Sequence, residues 1–385
     1  MGEWKEYKLG ELTIDGKGSY GIAASAVGFD VNKYTYLRIT DINDDGTINK
    51  DGLKSVDDVN ASNYLLKPND IVFARTGASV GRSYFYDGKD GEFVYAGFLI
   101  KYSIDPNKVN PKILKYYTHS QSYYDWIVSV DNGATRGNIN AQTYASMPIM
   151  LPERKRQDEI VSILSSLDDK IDLLHRENAT LEAMAETLFR QWFIEEAKED
   201  WKEGKLGDEF EFIMGQSPSG ESFNEDSVGI PMYQGNADFG FRFPTRRVFT
   251  TQPTRFAEKN DTLISVRAPV GTQNMATERC CIGRGVAAFR YKGNPLYYSY
   301  TYYKLKSLLD DIKQYNDNGT VFGSISKSDF ENIDIVIPNK ERIINFQQRV
   351  KIIDDKIINN NNEIQTLIQT RDSLLSKLMC NEINI

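Results

Sequence analysis

The sequence predicts a mixed α/β (α+β) protein: two globular modules and two long helices, the helices packed on each other as an antiparallel coiled coil. Three observations predict this. The chain contains an ordered internal repeat, each copy opens with short β-rich runs broken by turns, and each closes with a long apolar stripe at heptad spacing. The expected boundaries are 1–152 for the first module, 153–198 for the first helix, 199–338 for the second module and 339–385 for the second helix.

The repeat is read directly from the residues. Trp4, Lys5, Leu9 and Gly10 return as Trp201, Lys202, Leu206 and Gly207, at a separation of 197. Asn69 and Asp70, followed by Arg75 and then Val80-Gly81, return as Asn260 and Asp261, followed by Arg267 and Val270-Gly271. From Asn132 onward the separation is a constant 186, as between Asn132 and Asn318 or Pro152 and Pro338. The copies thus differ in internal length but share a fixed C-terminal frame.

Within each module, Asp70–Ala74 and Phe93–Ala96 have the β-branched and aromatic content of strands, each followed by a glycine. Helical stretches are expected at 112–117 and 297–312, and a last strand at 148–151 or 333–337 leads into a proline.

After Pro152, the seam is Ile160, Leu164, Leu167, Ile171, Leu174, Asn178, Leu181, Ala185, Leu188 and Trp192. After Pro338, it is Phe346, Val350, Ile353, Ile357, Asn360, Ile364, Leu367, Arg371, Leu374 and Leu378. Steps of four and three without an intervening proline or glycine define helices of about 40 residues and about 60 Å. Such stripes need a partner, and the other stripe is the nearest one. One asparagine in each seam, Asn178 and Asn360, suits a buried amide that fixes register. A module about 35–40 Å across does not easily return the chain along a 60 Å helix, which favours an antiparallel pair with one module at each end. Packing of each helix on its own module, or dimerisation, is the competing expectation.

Composition bounds the function. A net charge of −8 argues against non-specific coating of nucleic acid. Between Pro231 and Lys304, however, the balance reverses: Arg242, Arg246, Arg247, Arg255, Lys259, Arg267, Arg279, Arg284, Arg290, Lys292 and Lys304 meet only Asp238, Glu258, Asp261 and Glu278. Three cysteines (Cys280, Cys281, Cys380) make no disulfide framework and are expected as buried small hydrophobes in a reduced, cytoplasmic protein. No apolar run is long enough for a membrane span, and the N-terminus lacks the pattern of a secretory signal.

Catalytic and cofactor motifs are not found. His119 and His175 are too few and too far apart in sequence for a zinc site, and no phosphate-binding Gly-x-x-x-x-Gly-Lys loop occurs. Gly16-Lys17-Gly18 and Gly283-Arg284-Gly285 read as turns. Asn294-Pro295-Leu296-Tyr297 departs from the adenine-holding loop of amino-methyltransferases at its third residue and reads as a helix start. Glu3-Trp4-Lys5 and Glu203-Gly204-Lys205 match only half of a nuclease site. No catalytic residue, metal site or cofactor is expected.

Leu151-Pro152-Glu153-Arg154-Lys155-Arg156-Gln157, the following Ile160, Leu164, Leu167, Asp168, Lys170 and Ile171, and Leu188-Phe189-Arg190-Gln191-Trp192-Phe193 closely resemble the helix of type I restriction-modification specificity subunits. The repeated module–helix plan and the Trp-Lys-x-x-Lys-Leu-Gly opening of each module extend the resemblance over essentially the whole chain. Ile343 replaces Gln157 in the second copy. The resemblance implies that each module is a target recognition domain reading one half of a bipartite site in double-stranded DNA. It also implies that the helices are spacer and docking surface for two methyltransferase subunits carrying S-adenosylmethionine, with an endonuclease/translocase subunit joining to restrict DNA. A coiled-coil scaffold or defence adaptor whose modules bind protein is the alternative.

Base readers are most often arginine, asparagine or glutamine. The candidates are Arg75, Thr76, Arg82, Arg136 and Asn138 in the first module, and Gln234, Asn236, Arg246, Arg247, Arg267 and Arg284 in the second. Arg75 and Arg267 lie at nearly equivalent places in the repeat, which suits either a shared phosphate contact or an internal ion pair. The glycine-rich stretches 132–140 and 318–326 are either phosphate-approaching loops or simple turns, and Tyr144 and Phe330 are expected in the core.

A spacer role makes the length of the helices measurable. Deleting one heptad from each is expected to alter the number of unread base pairs between the half-sites, as mapped by methylome sequencing; an unchanged gap would sink that role.

Overall fold

A computed structural model describes residues 4–131, 137–314, 324–380 and Glu382. The chain divides into two compact units, Met1–Leu173 with Ile364–Ile385, and Leu174–Glu363. Each unit therefore holds one module and part of both long helices.

In the first unit, the opening strand Lys5–Lys8 pairs antiparallel with Pro148–Leu151, Lys5 opposite Leu151. The Leu9 amide donates to the Met147 carbonyl at 3.0 Å. The module thus begins and ends at one place, where the helix Arg154–Arg190 departs. Between them lie two four-stranded sheets. One has the order Ser19–Tyr20, Leu99–Ser103, Asp70–Ala74, Ser83–Tyr86; the other has Ala26–Val27, Lys54–Val56, Tyr34–Leu37, Phe93–Tyr95, its last pair parallel. Asp70–Ala74 is buried along its whole length. Because successive side chains alternate, Ile71 and Phe73 enter a core shared with Ile113, Leu114 and Tyr144, whereas Val72 and Ala74 meet Leu37 and Phe93.

The second unit repeats the plan. Lys202–Lys205 pairs with Asp334–Ile337, Lys202 opposite Ile337, and the Leu206 amide donates to the Ile333 carbonyl at 2.8 Å. A four-stranded sheet runs Phe210–Met214, Val286–Tyr291, Thr262–Ser265, Gln273–Met275. Beside it is a five-stranded sheet in which Ile230–Tyr233 and Cys280–Ile282 are the parallel pair. The repeated Asn-Asp has a local cause. Asn69 and Asn260 hold left-handed φ values of 75° and 72°, which asparagine tolerates better than most residues. The next aspartate caps the turn, Asp70 accepting from the Lys67 amide (2.8 Å) and Asp261 from the Glu258 amide (2.7 Å).

The second long helix spans Lys340–Met379, and the first ends in a π-helical turn, Gln191–Glu195. Their chain directions oppose within each unit. In the first, Leu164 shares a core with Leu375 and Leu378, and Asp168 meets Arg371 at 3.1 Å. In the second, Asn360 Nδ2 donates to Asn178 Oδ1 at 2.9 Å, while Phe189 packs edge-on to Phe346. Every expected seam position is buried or half-buried. Burial also reaches Gln157, Val161, Glu182, Phe189 and Phe193 on one helix and Ile343, Gln347, Asp354 and Leu375 on the other. That second stripe faces the modules, so seam pairing and packing on the modules, posed as competing expectations, both occur.

Several expectations are corrected. Residues 297–312 form two helices, Tyr298–Ser307 and Leu309–Gln314, rather than one. Cys280 and Cys281 are buried but Cys380 is exposed. Arg242, counted in the basic stretch, is fully buried: it pairs with Asp354 at 2.8 Å and Glu182 at 3.8 Å, and its guanidinium lies 3.4 Å from the centre of the Tyr302 ring. Tyr144 and Phe330 are in the core as expected, and His175 is exposed on the helix.

Glu209 occupies the place of the buried Leu12, 197 residues on. Burial pushes its carboxyl up to about 7, opposed by Lys304 and by the Tyr300 hydroxyl, which donates to Oε1 at 2.7 Å.

Two outcomes are expected. Arg242→Ala leaves Asp354 without a cation in the core and Glu182 with Lys306 alone, and is expected to cost about 3–5 kcal/mol in urea denaturation; a loss below about 1 kcal/mol would show that the pair is not structural. Because the folded state holds the Glu209 proton that the unfolded state releases near 4.5, this group's contribution to wild-type stability falls as pH rises from 4.5 to about 7. Glu209→Gln lacks this loss, so its stability relative to wild type is expected to rise across that window and level off above it. A flat difference in denaturation midpoints would refute the assignment.

Candidate nucleic-acid interface

The second module has an open cleft lined by Ser217, Gln234, Asn236, Arg267, Arg284 and Gly285, with Gly235 and Ala268 between them. Backbone bonds build it. Gln234 follows the strand Ile230–Tyr233, its amide donating at 2.6 Å to Oδ2 of the buried Asp238. Asn236 opens the short 3-10 turn that ends at Asp238. Gly283-Arg284-Gly285 is the tight turn expected, fixed by Gly283 N to Tyr233 O (2.8 Å), Arg284 N to Ser217 Oγ (3.2 Å) and Val266 N to Gly285 O (2.9 Å). A Cβ on Gly285 would fall 2.0 Å from the Gln234 carbonyl oxygen, so only glycine lets the two chains meet here.

Ion pairing separates the cations of the basic stretch into two groups. Each carboxylate of the basic stretch is taken by one arginine: Asp238 by Arg247 (2.7 Å), Glu278 by Arg246 (2.6 Å), Glu258 by Arg279 (3.2 Å) and Asp261 by Arg290. Arg267 and Arg284 are exposed, with no ion-pair partner among the described residues; the same holds for Arg255 and Lys259. Four of the six second-module candidates thus come together at the cleft, Gln234, Asn236, Arg267 and Arg284. Arg246 and Arg247 lie outside it with their charge already paired.

In the first module, Arg75 donates to Asn138 Oδ1 through Nε (3.3 Å) and Nη2 (3.1 Å), and its guanidinium lies 4.9 Å from the centre of the Tyr20 ring. Thr76 forms a β-bridge with Asn138. Arg82 is elsewhere, bonded to Asp44 at 2.6 Å and to the Ile42 carbonyl at 3.1 Å. Arg136 lies outside the described residues.

The near-equivalence of Arg75 and Arg267 is off by one residue. The Ile139 amide donates to the Arg75 carbonyl (2.9 Å), and Ile325 donates to that of Val266 (3.2 Å). Arg75 therefore corresponds to Val266, and Arg267 to Thr76. One step along an extended chain reverses the side chain's face, so the two arginines are not the same contact. Sequence reasoning missed Ser217, which braces a turn and lines the cleft, and Tyr20, which meets Arg75 from a distant strand; neither leaves a local signal.

Among the described residues no cluster of His, Cys, Asp or Glu could hold a metal ion, and no helix is long and apolar enough to cross a membrane.

These features, a duplicated α/β module on paired helices with a cation-lined cleft, agree with the comparisons to known proteins. The family described as the type I restriction modification DNA specificity domain matches residues 1–183 and again 198–370, and the chain belongs to it. It is 29% identical over 376 residues to the MjaX type I restriction enzyme specificity subunit of Methanocaldococcus jannaschii, covering 91% of this chain and 88% of that one. It is 23% identical, along the whole of both chains, to the HindI type I restriction enzyme specificity subunit of Haemophilus influenzae. The crystal structure of a type I restriction-modification S subunit from M. genitalium shares the fold with a TM-score of 0.55 at 20% identity, covering 98% of this chain and 96% of that one.

Proposed function

We propose that the chain is the DNA-recognition subunit of a type I restriction-modification complex. Its modules, 1–152 and 199–338, would each read one half of a bipartite target. The helices, 153–198 and 339–385, would be the spacer and the surface for two adenine methyltransferase subunits. Those subunits would carry S-adenosylmethionine, and an endonuclease/translocase subunit would complete the restricting assembly in the cytoplasm. The chain itself would do no chemistry.

The observation that carries this reading is the cleft of the second module. Two exposed arginines with no carboxylate partner among the described residues stand beside an exposed glutamine and asparagine on a backbone fixed by turns. Guanidinium and carboxamide groups match the phosphates and base edges of a duplex.

The test is to purify the chain with its methyltransferase subunits and measure duplex binding against salt. Binding is expected to weaken steeply as salt rises, and Arg267→Ala to flatten the log–log slope by about 1. No binding at low salt would remove the reading.

A further inference from the structure

One hydrogen-bonded frame surrounds different side chains in the two modules. Gly215 N donates to Val286 O (2.9 Å) as Gly21 N does to Leu99 O (3.2 Å), and Gln216 N to Ile282 O (3.0 Å) as Ile22 N to Tyr95 O (3.1 Å). Gly283 N donates to Tyr233 O (2.8 Å) as Ala96 N to Leu37 O (2.9 Å), and Val266 N to Gly285 O (2.9 Å) as Arg75 N to Phe98 O (3.1 Å). Asp41 accepts from the Arg38 amide at 2.8 Å, as Asp238 does from Gln234. These bonds equate Arg284 with Gly97, Gly285 with Phe98, Gln234 with Arg38 and Arg267 with Thr76.

The turn at the centre of this frame differs most in chemistry. In the second module it presents Arg284, exposed and without an ion-pair partner among the described residues. In the first it presents Phe98, 60% exposed although Tyr95, Ala96 and Leu99 around it are buried. Folding of the module makes little use of either side chain. Both sit on backbone tethered from two sides, so little backbone freedom is lost when a ligand is met.

We propose that this turn is the base-reading element of each module. Arg284 reads a guanine, donating to O6 and N7, and Phe98 packs on the 5-methyl group of a thymine; these are the groups that guanidinium and aromatic side chains match in the major groove. The inference rests on the DNA-recognition reading and adds what each module reads. Arg38, which the frame equates with Gln234, is paired through its guanidinium with Asp41 and is not assigned as a reader.

The experiment uses the full chain assembled with its methyltransferase subunits, and duplexes carrying the target found by methylome sequencing. Guanines are replaced singly by 7-deazaguanine, which lacks the N7 acceptor, and thymines singly by uracil, which lacks the methyl group. At one guanine of one half-site, replacement is expected to weaken wild-type binding by about 5- to 150-fold and to have no effect on Arg284→Ala. At one thymine of the other half-site, uracil is expected to weaken binding about fourfold and to leave Phe98→Ala unaffected. A wild-type complex that binds its target but ignores every replacement overturns the proposal, as do variants as sensitive as wild type. Failure of the wild-type complex to bind any duplex at low salt would overturn the DNA-recognition reading itself.

Discussion

The buried guanidinium of Arg242 fastens the second unit together. It leaves a loop of the module, meets Asp354 on one long helix and Glu182 on the other, and lies against Tyr302 and near Tyr303 from the module's own helix. Lys306 adds a second cation to Glu182 and reaches Glu186. Burial pushes the Asp354 carboxyl upward and the arginine opposes that push, so each charge is tolerated only because the other is present. An interaction of this kind adds little net stability over an apolar substitute of the same shape, but it penalises any arrangement that separates the three elements. The first unit has its own version. Asp168, 186 residues before Asp354, takes Lys115 of the module (2.7 Å) and Arg371 of the opposing helix (3.1 Å), and the Tyr116 hydroxyl donates to it at 3.0 Å. The cations come from unrelated positions in the two units. What repeats is the requirement that a helix carboxylate be matched by the module it packs on.

That requirement explains where the two halves of the sequence agree. Agreement is closest at the entry strand, at the Asn-Asp turn and at the exit strand. There, pairing register, a left-handed φ and a backbone–carboxylate cap leave few acceptable residues. It is weakest on the cleft-facing turn, where the backbone bonds are kept and the side chain is free to change. A frame that constrains carbonyls and amides without constraining side chains lets two modules share one fold and differ in what they present.

Much of this was legible in the sequence. The heptad positions from Ile160 to Leu378 were, because apolar spacing in a long helix without proline or glycine leaves one reading, and so was the burial of one asparagine in each seam; that Asn178 and Asn360 bond each other is the structure's addition. The second buried stripe was not legible, since nothing in the sequence marks Glu182 and Asp354 as buried until Arg242 is placed between them. The cleft was half legible. Arginine, glutamine and asparagine are recognisable by type, and Gln234, Asn236, Arg267 and Arg284 do converge. But whether an arginine is paired depends on contacts between residues distant in sequence, such as Arg246 with Glu278, and on single-residue offsets, such as that separating Arg75 from Arg267.

Charge partition resolves the tension between an acidic chain and an anionic ligand. The net charge of −8 is a property of the whole sequence, whereas a ligand within a Debye length of about 8–10 Å responds to the local balance. Between Pro231 and Lys304 each carboxylate is taken by one arginine, and Arg255, Lys259, Arg267, Arg284 and Lys292 are exposed with no ion-pair partner among the described residues. Arginines already committed to Asp238, Glu278, Glu258 and Asp261 hold loops in place. Those left over carry the field. An anionic polymer approaching this face therefore meets positive charge on rigid backbone, while the acidic surface elsewhere keeps non-specific attraction low. Affinity that is weak in general and strong at one place is what discrimination between sequences demands.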